Sequence, residues 1–432
     1  MARLVPRIIF SAKGVWMGAR GILQCRACDS ENLFIAISLG NSPLANRLLE
    51  NKDSELPSYP LVLRICSECS LGQLGEFQSP EEIFSDYPYL SSTSQTWLDS
   101  NQKFASELIK TLNLTNEDLV LEIASNDGYL LKFFKESGIS VLGVEPAKNV
   151  AKIATDFGIP TIATFFGLPL AKELSERKFN PRLIVAKNVI AHVPDLQDFV
   201  SGLSELSSAE TLLVIEAPTI SQIMTEHQFD TIYHEHFSYV SALSLGKLFS
   251  RFGLEIFGAE KVDTHGGSVR FLAKKIGGRA YPSVNQHQTL QKLLLSEGSL
   301  AINEELAWTA TREKINSILI DAKEWLDIEN PEITTVAYGA AAKGVTLLAA
   351  IEAGENAIHL VIDNSSGKIG KYFPISKSRI LSEQDFIRQM SEGKYRYIIF
   401  PWNLIEELSL RIREFDPGAE IFSILSSNQK GM

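Results

Sequence analysis

Between residues 118 and 216 short apolar runs alternate with longer amphipathic stretches, and this order suits a parallel sheet covered by helices on both faces. The runs Asp118–Ile123, Ser140–Glu145, Pro160–Thr164, Leu183–Lys187 and Thr211–Glu216 read as strands. The stretches 129–137, 147–157, 168–176 and 195–206 read as the helices between them. In such a doubly wound sheet ligands sit beyond the carboxyl ends of the strands, so the residues just after each run are the first candidates for a site.

The first run ends in Leu121-Glu122-Ile123-Ala124-Ser125-Asn126-Asp127-Gly128. An acidic residue in the strand, a short loop of small residues and then a helix resembles the first motif of class I S-adenosylmethionine methyltransferases, with alanine at 124 where glycine is usual. The resemblance implies a cofactor loop formed by Glu122, Ala124, Asn126, Asp127 and Gly128. Gly128 tolerates unusual dihedrals there. About twenty residues on, the second run ends at Glu145, where a carboxylate can accept both hydroxyls of a ribose. The phosphate-binding G-x-G-x-x-G loop is absent, which disfavours a nicotinamide or flavin dinucleotide. An ordinary doubly wound domain with an acidic strand end is the competing reading of this segment alone.

The four cysteines fall in two pairs, Cys25-Arg26-Ala27-Cys28 and Cys66-Ser67-Glu68-Cys69, with 37 residues between them. Four thiolates are the ligand set of a closed tetrahedral zinc site. Two disulfides suit a cytosolic chain poorly. A redox C-x-x-C opens a helix inside a strand–helix–strand unit, and neither pair does so. Four unconnected thiols are the alternative. With no histidine nearby and no open ligand position, the metal reads as structural rather than catalytic.

The fourth run continues into Asn188 and His192, polar residues on the cofactor side of a strand end. Further on, Asp230-Thr231-Ile232-Tyr233-His234-Glu235-His236-Phe237-Ser238-Tyr239 packs five groups able to exchange or donate protons into seven positions. A histidine near neutrality suits general base chemistry, Glu235 could fix its tautomer, and Tyr233 could donate to a developing oxyanion. A metal on His234 and His236 lacks a clear third ligand; that reading and a merely structural cluster stay open beside the catalytic one.

Residues 284–328 read as helical, with Ile315, Ile318, Leu319, Ala322 and Leu326 on one stripe, more an interdomain strut than a partner-binding face. Ile333–Tyr338 then reads as a strand, Gly339–Lys343 as a turn and Gly344–Ala353 as a helix; Ala357–Asp363, Tyr395–Pro401 and Ala419–Ile424 complete a small Rossmann-like sheet. The Gly339–Gly344 turn, with Ala340 and Lys343, is a candidate anion site at a helix start; Arg270 is the competing phosphate ligand, and a purely structural lobe is the bland reading.

These motifs, in order, resemble the sugar C-methyltransferases, which include nucleotide-linked 3-C-methyltransferases of branched deoxysugars. The resemblance is carried by the cysteine pairs with Leu39-Gly40-Asn41-Ser42-Pro43-Leu44-Ala45-Asn46 and Phe84-Ser85-Asp86-Tyr87-Pro88-Tyr89. It continues through the 122–128 loop, Asn188 with His192, the 233–237 cluster, His265-Gly266-Gly267-Ser268-Val269-Arg270 and Tyr338–Gly344, and spans residues 25 to about 425. It implies an α/β chain: a class I methyltransferase doubly wound sheet, flanked by a small N-terminal zinc-binding domain and a C-terminal Rossmann-like α/β domain. The divisions are 22–90 for zinc, 91–280 for S-adenosylmethionine, 281–330 for a helical connector and 331–432 for substrate. It implies C-methylation beside a ketone, at C3 of a nucleoside-diphosphate 4-keto-deoxyhexose. His236 matches the base, and Tyr87, His192, Tyr233 and Glu235 match residues lining that site. A different ketone such as a polyketide, or a dead methyltransferase-like binding protein, are the alternative functions.

The bulk properties agree. Of the 432 residues, 45% are apolar and 22% charged, which excludes disorder, collagen and coiled coil as descriptions of the whole chain. A net charge of -11 argues against a broad nucleic-acid face, and no apolar run is long enough to span a membrane. Lys13 interrupts what would be a signal-peptide core, so residues 1–20 read as a dispensable leader or an early start, with Met17 an alternative first residue. The expected setting is cytoplasmic, as a monomer or weak homodimer.

Overall fold

The computed structural model describes residues 24–425 apart from 76–78, 85–89, 94, 263–265, 280–282, 329 and 391–392. The leader read in residues 1–20, Tyr87 and His265 therefore lie outside the described residues. Sixteen described strands run in chain order. They are β1 (Leu33–Ser42), β2 (Tyr59–Cys66), β3 (Gly72–Gln73), β4 (Leu119–Ile123), β5 (Ser140–Val144), β6 (Thr161–Ile162), β7 (Leu183–Lys187) and β8 (Leu212–Ala217). They continue as β9 (Ser238–Tyr239), β10 (Leu254–Val262), β11 (Ser268–Lys275), β12 (Ile333–Tyr338), β13 (Leu360–Ile362), β14 (Arg379–Leu381), β15 (Lys394–Ile399) and β16 (Glu420–Phe422).

The middle sheet has the order β10-β11-β8-β7-β4-β5-β6. Its strands β8, β7, β4, β5 and β6 are parallel, and β11 runs antiparallel between β8 and β10. Leu183–Lys187 and Leu212–Ala217 are buried at every position, as strands covered on both faces must be. This is the class I methyltransferase fold. The C-terminal sheet, β14-β13-β12-β15-β16, is parallel throughout. Its edge strand Arg379–Leu381 escapes the sequence reading because three residues are too few for periodicity to register.

The zinc-domain sheet, β1-β2-β3-β9, is antiparallel and takes its last strand from the chain just after the 230–237 cluster. Gly72 sits where this sheet meets the Ile220–Glu226 helix: an added Cβ would come within 2.4 Å of Ile220 Cδ1. One apolar core joins this sheet to the C-terminal lobe through Ile37, Leu63, Ile232, Trp308, Val345 and Phe400. The single helical stretch expected over 284–328 is two helices, Val284–Leu300 and Thr309–Leu326, parted where Ala301 turns left-handed at φ 49°. Ile315, Ile318, Ala322 and Leu326 of the expected stripe are buried in that shared core, and Leu319 packs against it.

Candidate active site

In both α/β sheets the strand order reverses beside the first strand, between β4 and β7 in one and β12 and β15 in the other. A crevice outside the carboxyl ends at such a switch point is the expected ligand site of an open α/β sheet. Here the two crevices open into one cavity of about 940 Å³, lined by Ala124 and Asn188 from the first and Gly339 and Pro401 from the second.

On the methyltransferase side the loop after β4, expected to hold the cofactor, is built from left-handed residues: φ is 52° at Ala124, 49° at Asn126 and 80° at Gly128, and 54° at Asn188 on the facing strand end. Left-handed non-glycine residues concentrate at functional sites because the surroundings must enforce them. Glu145 Oε2 accepts from the Asn126 amide and Oε1 from the Ala147 amide, both at 2.9 Å. The carboxylate is thus clamped at the cavity wall, with lone pairs left for ribose hydroxyls, and burial pushes its pKa up. Ala124, Asn126, Glu145 and Asn188 line the cavity. Pro146, Phe165 and Phe166 add a flat apolar wall beside Glu145, fit for an adenine-like ring.

Glu122 and Asp127 of the expected cofactor set are placed otherwise. Glu122 is buried beneath the loop, where desolvation holds its carboxyl well above the ordinary range. Asp127 Oδ2 accepts from the Ser92 amide at 3.0 Å, and Asn126 Oδ1 from the Ser91 amide at 2.8 Å, so these two side chains dock the strand–helix loop onto residues 91–92. Gly128 is required by packing: an added Cβ would lie 2.8 Å from Ile159 Cγ1. Lys187, which sequence reasoning passed over, also lines the cavity. Its ammonium donates to Asn101 Oδ1 at 2.5 Å and lies 3.6 Å from Glu216, and burial lowers its pKa to about 8. A lysine ending an otherwise apolar strand was the available signal.

The 230–239 segment brings the expected catalytic groups together. His236 Nδ1 lies 2.9 Å from the Thr231 carbonyl and Nε2 lies 2.8 Å from the Tyr233 hydroxyl. A carbonyl only accepts, so Nδ1 carries the proton and the Nε2 lone pair faces the hydroxyl. His192 is fixed the same way, with Nδ1 2.7 Å from the Glu235 carbonyl, and its ring centroid is 4.7 Å from that of His236. Burial first, then the neighbouring His192 and Lys343, holds the His236 pKa well below the ordinary histidine value; burial also lowers that of His192. Two neutral imidazoles and a phenol therefore line one cavity.

Glu235 does not fix a tautomer through its carboxylate. That group is buried and accepts from the Asn46 amide at 2.9 Å, holding the Leu39–Asn46 segment, while only its backbone carbonyl meets His192. His234 faces Pro60, its Nε2 3.3 Å from that carbonyl, away from His236's partners.

On the C-terminal side Gly339 has φ 91°, and a Cβ there would meet Pro401 Cδ at 2.6 Å. The Ala340 amide donates to Asp363 Oδ2 at 2.9 Å and is not on the cavity wall. Lys343 lines the cavity, with its ammonium 3.7 Å from the Trp402 ring centroid and 3.3 Å from Asn403 Oδ1. Trp402 in turn donates to Asp230 Oδ2 at 2.8 Å, joining this lobe to the start of the 230–239 segment. Arg270 is corrected: strand register sets it opposite Glu216 and Glu260, its Nε lies 2.6 Å from Glu216 Oε2, and it is not among the cavity-lining residues.

Among the described residues the four cysteines are the group able to hold a metal, their sulfurs all within 4.8 Å of one another. Cys25 and Cys69 sulfurs are 3.4 Å apart and those of Cys28 and Cys66 3.6 Å, close to the edge of about 3.8 Å for a tetrahedron with bonds of about 2.3 Å. The residues fit a closed structural zinc. No described helix is long and apolar enough to cross a membrane.

Three known sequence families match the chain in the order of its domains. A zinc binding domain family matches residues 25–84, a methyltransferase domain family 97–257 and the C-methyltransferase C-terminal domain family 263–422. The C-methyltransferase NovU of Streptomyces niveus is 31% identical over 412 residues, covering 92% of this chain and 93% of its own. Among solved structures, the magnesium protoporphyrin IX methyltransferase of Synechocystis with bound S-adenosylmethionine is 14% identical over 41% of this chain and 79% of its own, at a TM-score of 0.32. The chain belongs to the S-adenosylmethionine-dependent C-methyltransferases that carry an N-terminal zinc-binding domain.

Proposed function

We propose that the chain methylates a carbon beside a ketone, at C3 of a nucleoside-diphosphate 4-keto-deoxyhexose, through an enolate. The observation that carries this reading is the neutral His236, its Nε2 lone pair directed at Tyr233 in a cavity shared by two nucleotide-type crevices. The nucleoside diphosphate occupies the C-terminal crevice at Gly339–Lys343, and Glu145 with the 124–128 loop holds the cofactor. Bound there, S-adenosylmethionine would supply a sulfonium methyl to the carbon nucleophile, with S-adenosylhomocysteine as the leaving group.

The chain's own residues do the rest. His236 Nε2 takes the C3 proton, and the electron pair of the broken C–H bond moves into the enolate. The Tyr233 hydroxyl leaves Nε2 and donates to the enolate oxygen, with the cavity's low dielectric strengthening that bond. His192, held by the Glu235 carbonyl, packs beside the base, and the burial that this packing adds to keeps the base neutral. The His236 proton then returns to solvent, completing the cycle. The protein acts as a monomer or weak homodimer in the cytoplasm, where four reduced thiols persist.

The test is incubation with labelled S-adenosylmethionine and, separately, a panel of nucleoside-diphosphate 4-keto sugars and a panel of carrier-bound ketones, read by mass spectrometry. A gain of one methyl at the carbon beside the ketone supports the reading. Methylation of carrier-bound ketones alone would redirect it to a polyketide-type substrate, and none at all to a binding role.

A further inference from the structure

We propose that Arg26, inside the first cysteine pair, is a positioning residue that fixes the His236 imbedded loop to the zinc site. Its Nη1 donates to the Phe237 carbonyl at 2.7 Å and its Nη2 to the Leu74 carbonyl at 2.8 Å. The guanidinium also lies 5.8 Å from the centroid of the Phe237 ring. Phe237 directly follows His236, and its carbonyl takes a second bond from the Leu74 amide at 3.0 Å. One planar fork therefore bridges the end of β3 to the peptide that carries the base.

The backbone of Arg26 is held equally firmly. Its amide donates to Gln73 Oε1 at 3.0 Å, and its carbonyl accepts from Gln197 Nε2 at 3.2 Å. Cys25 and Cys28 flank it, so a zinc held by the four cysteines would set where the guanidinium starts. Arg26 is 8% exposed. A buried cation that spends two donors on carbonyls of separate segments fixes their spacing, and lysine cannot reproduce the fork. Two other grips on the same loop, Asn46 to Glu235 and His234 to Pro60, come from the same domain and flank His236 on its other side. The zinc domain is thus a frame for the base as well as a folding unit, and a displacement of about 1 Å at a catalytic group can cost about 100-fold in rate. The inference rests on the reading of His236 as the base for its catalytic meaning, but its structural content does not.

The test uses full-length, zinc-loaded protein with labelled histidine nitrogens, comparing wild type with Arg26→Lys and Arg26→Ala; His236→Asn assigns the signal. In wild type the His236 ring is expected as the single Nδ1–H form, titrating below the ordinary value of about 6.5. In the variants, with zinc still one per chain and S-adenosylmethionine affinity within about twofold of wild type, the ring shows mixed tautomers and titrates closer to the ordinary value, Arg26→Lys lying between the extremes. An unchanged tautomer and titration in both variants overturns the proposal. So does loss of zinc or of cofactor binding in both, which makes Arg26 a folding residue only. Because no acceptor is used, neither result depends on which ketone the enzyme methylates.

Discussion

The Tyr233 hydroxyl donates a 2.8 Å hydrogen bond to Nε2 of His236 while the Thr231 carbonyl, 2.9 Å away, holds Nδ1 in its protonated form. The relationship leaves the lone pair on the nitrogen that faces the cavity, and a phenol beside it that can turn to an enolate oxygen. His236→Asn should lower kcat by about 10²–10⁴-fold, the usual contribution of a positioned base. Calorimetry should find S-adenosylmethionine binding intact in this variant. Near-normal turnover would transfer the role to His192 or Tyr233.

The pH dependence follows in sign. As the proposed base His236 must be neutral, and burial with His192 and Lys343 keeps its folded pKa well below 6.5. Activity should therefore stay level on its acid side until the pH falls below 6.5, and an acid limb centred above that value would contradict this. Stability has the same sense. Between the depressed folded value and 6.5 the unfolded chain binds more protons, so the folded state loses stability as pH falls through that window. Urea unfolding at pH 7.5 and 5.5 should show a larger loss for wild type than for His236→Asn.

Zinc removal should act on the whole assembly of sheet and loop. Cys66 and Cys69 pack in the core that includes Ile123, Val189 and Phe249 of the methyltransferase sheet and its helices. Elemental analysis should give one zinc per chain, and Cys66→Ser should lose it together with several kcal/mol of stability, because closed zinc sites contribute folding energy directly. A Cys66→Ser protein that melts with wild-type midpoint would rule this out.

The parallel strands were legible because burial on both faces leaves an apolar run, as in Leu212–Ala217. The cysteine pairs were legible from spacing alone. Side-chain partners were not, because they are distant in sequence. Arg270 reads as a free cation after a glycine turn until strand register sets it across from Glu216, 54 residues earlier. Glu235 reads as an imidazole partner until Asn46, 189 residues earlier, takes its carboxylate. Asp127 reads as a cofactor ligand although its oxygen serves the Ser92 amide. Among the residues that kept their expected place on the cavity wall, Ala124, Glu145, Asn188 and Gly339 were legible because their position follows from strand ends.

Glu145 offers a clean test of the cofactor side. Its two oxygens each hold a loop amide and face the cavity. Glu145→Gln replaces one acceptor oxygen with a donor, so one amide and one ribose hydroxyl lose their partner. The dissociation constant for S-adenosylmethionine should rise by about tenfold or more, the equivalent of about 1.4 kcal/mol. Binding of a nucleoside diphosphate should not change, and an unaltered cofactor affinity would put the ribose elsewhere.

The C-terminal crevice makes the opposite demand. With a net charge of -11 the chain needs a local cation to hold a diphosphate, and Lys343 supplies one at the cavity wall. Burial lowers its pKa, so an arriving phosphate restores a partner that water no longer provides. Lys343→Met keeps the apolar stem over Trp402 and removes the charge. If a charge-assisted contact of about 1.5–3 kcal/mol is lost, the dissociation constant for a nucleoside diphosphate rises by about tenfold or more. Gly339→Ala should weaken the same ligand by a different route. It forces a side chain at φ 91° and drives a Cβ to 2.6 Å from Pro401, which displaces the turn rather than its charge. The salt dependence of binding separates the two: it should flatten in Lys343→Met and persist in Gly339→Ala. Wild-type affinity in Lys343→Met would remove the diphosphate from this turn.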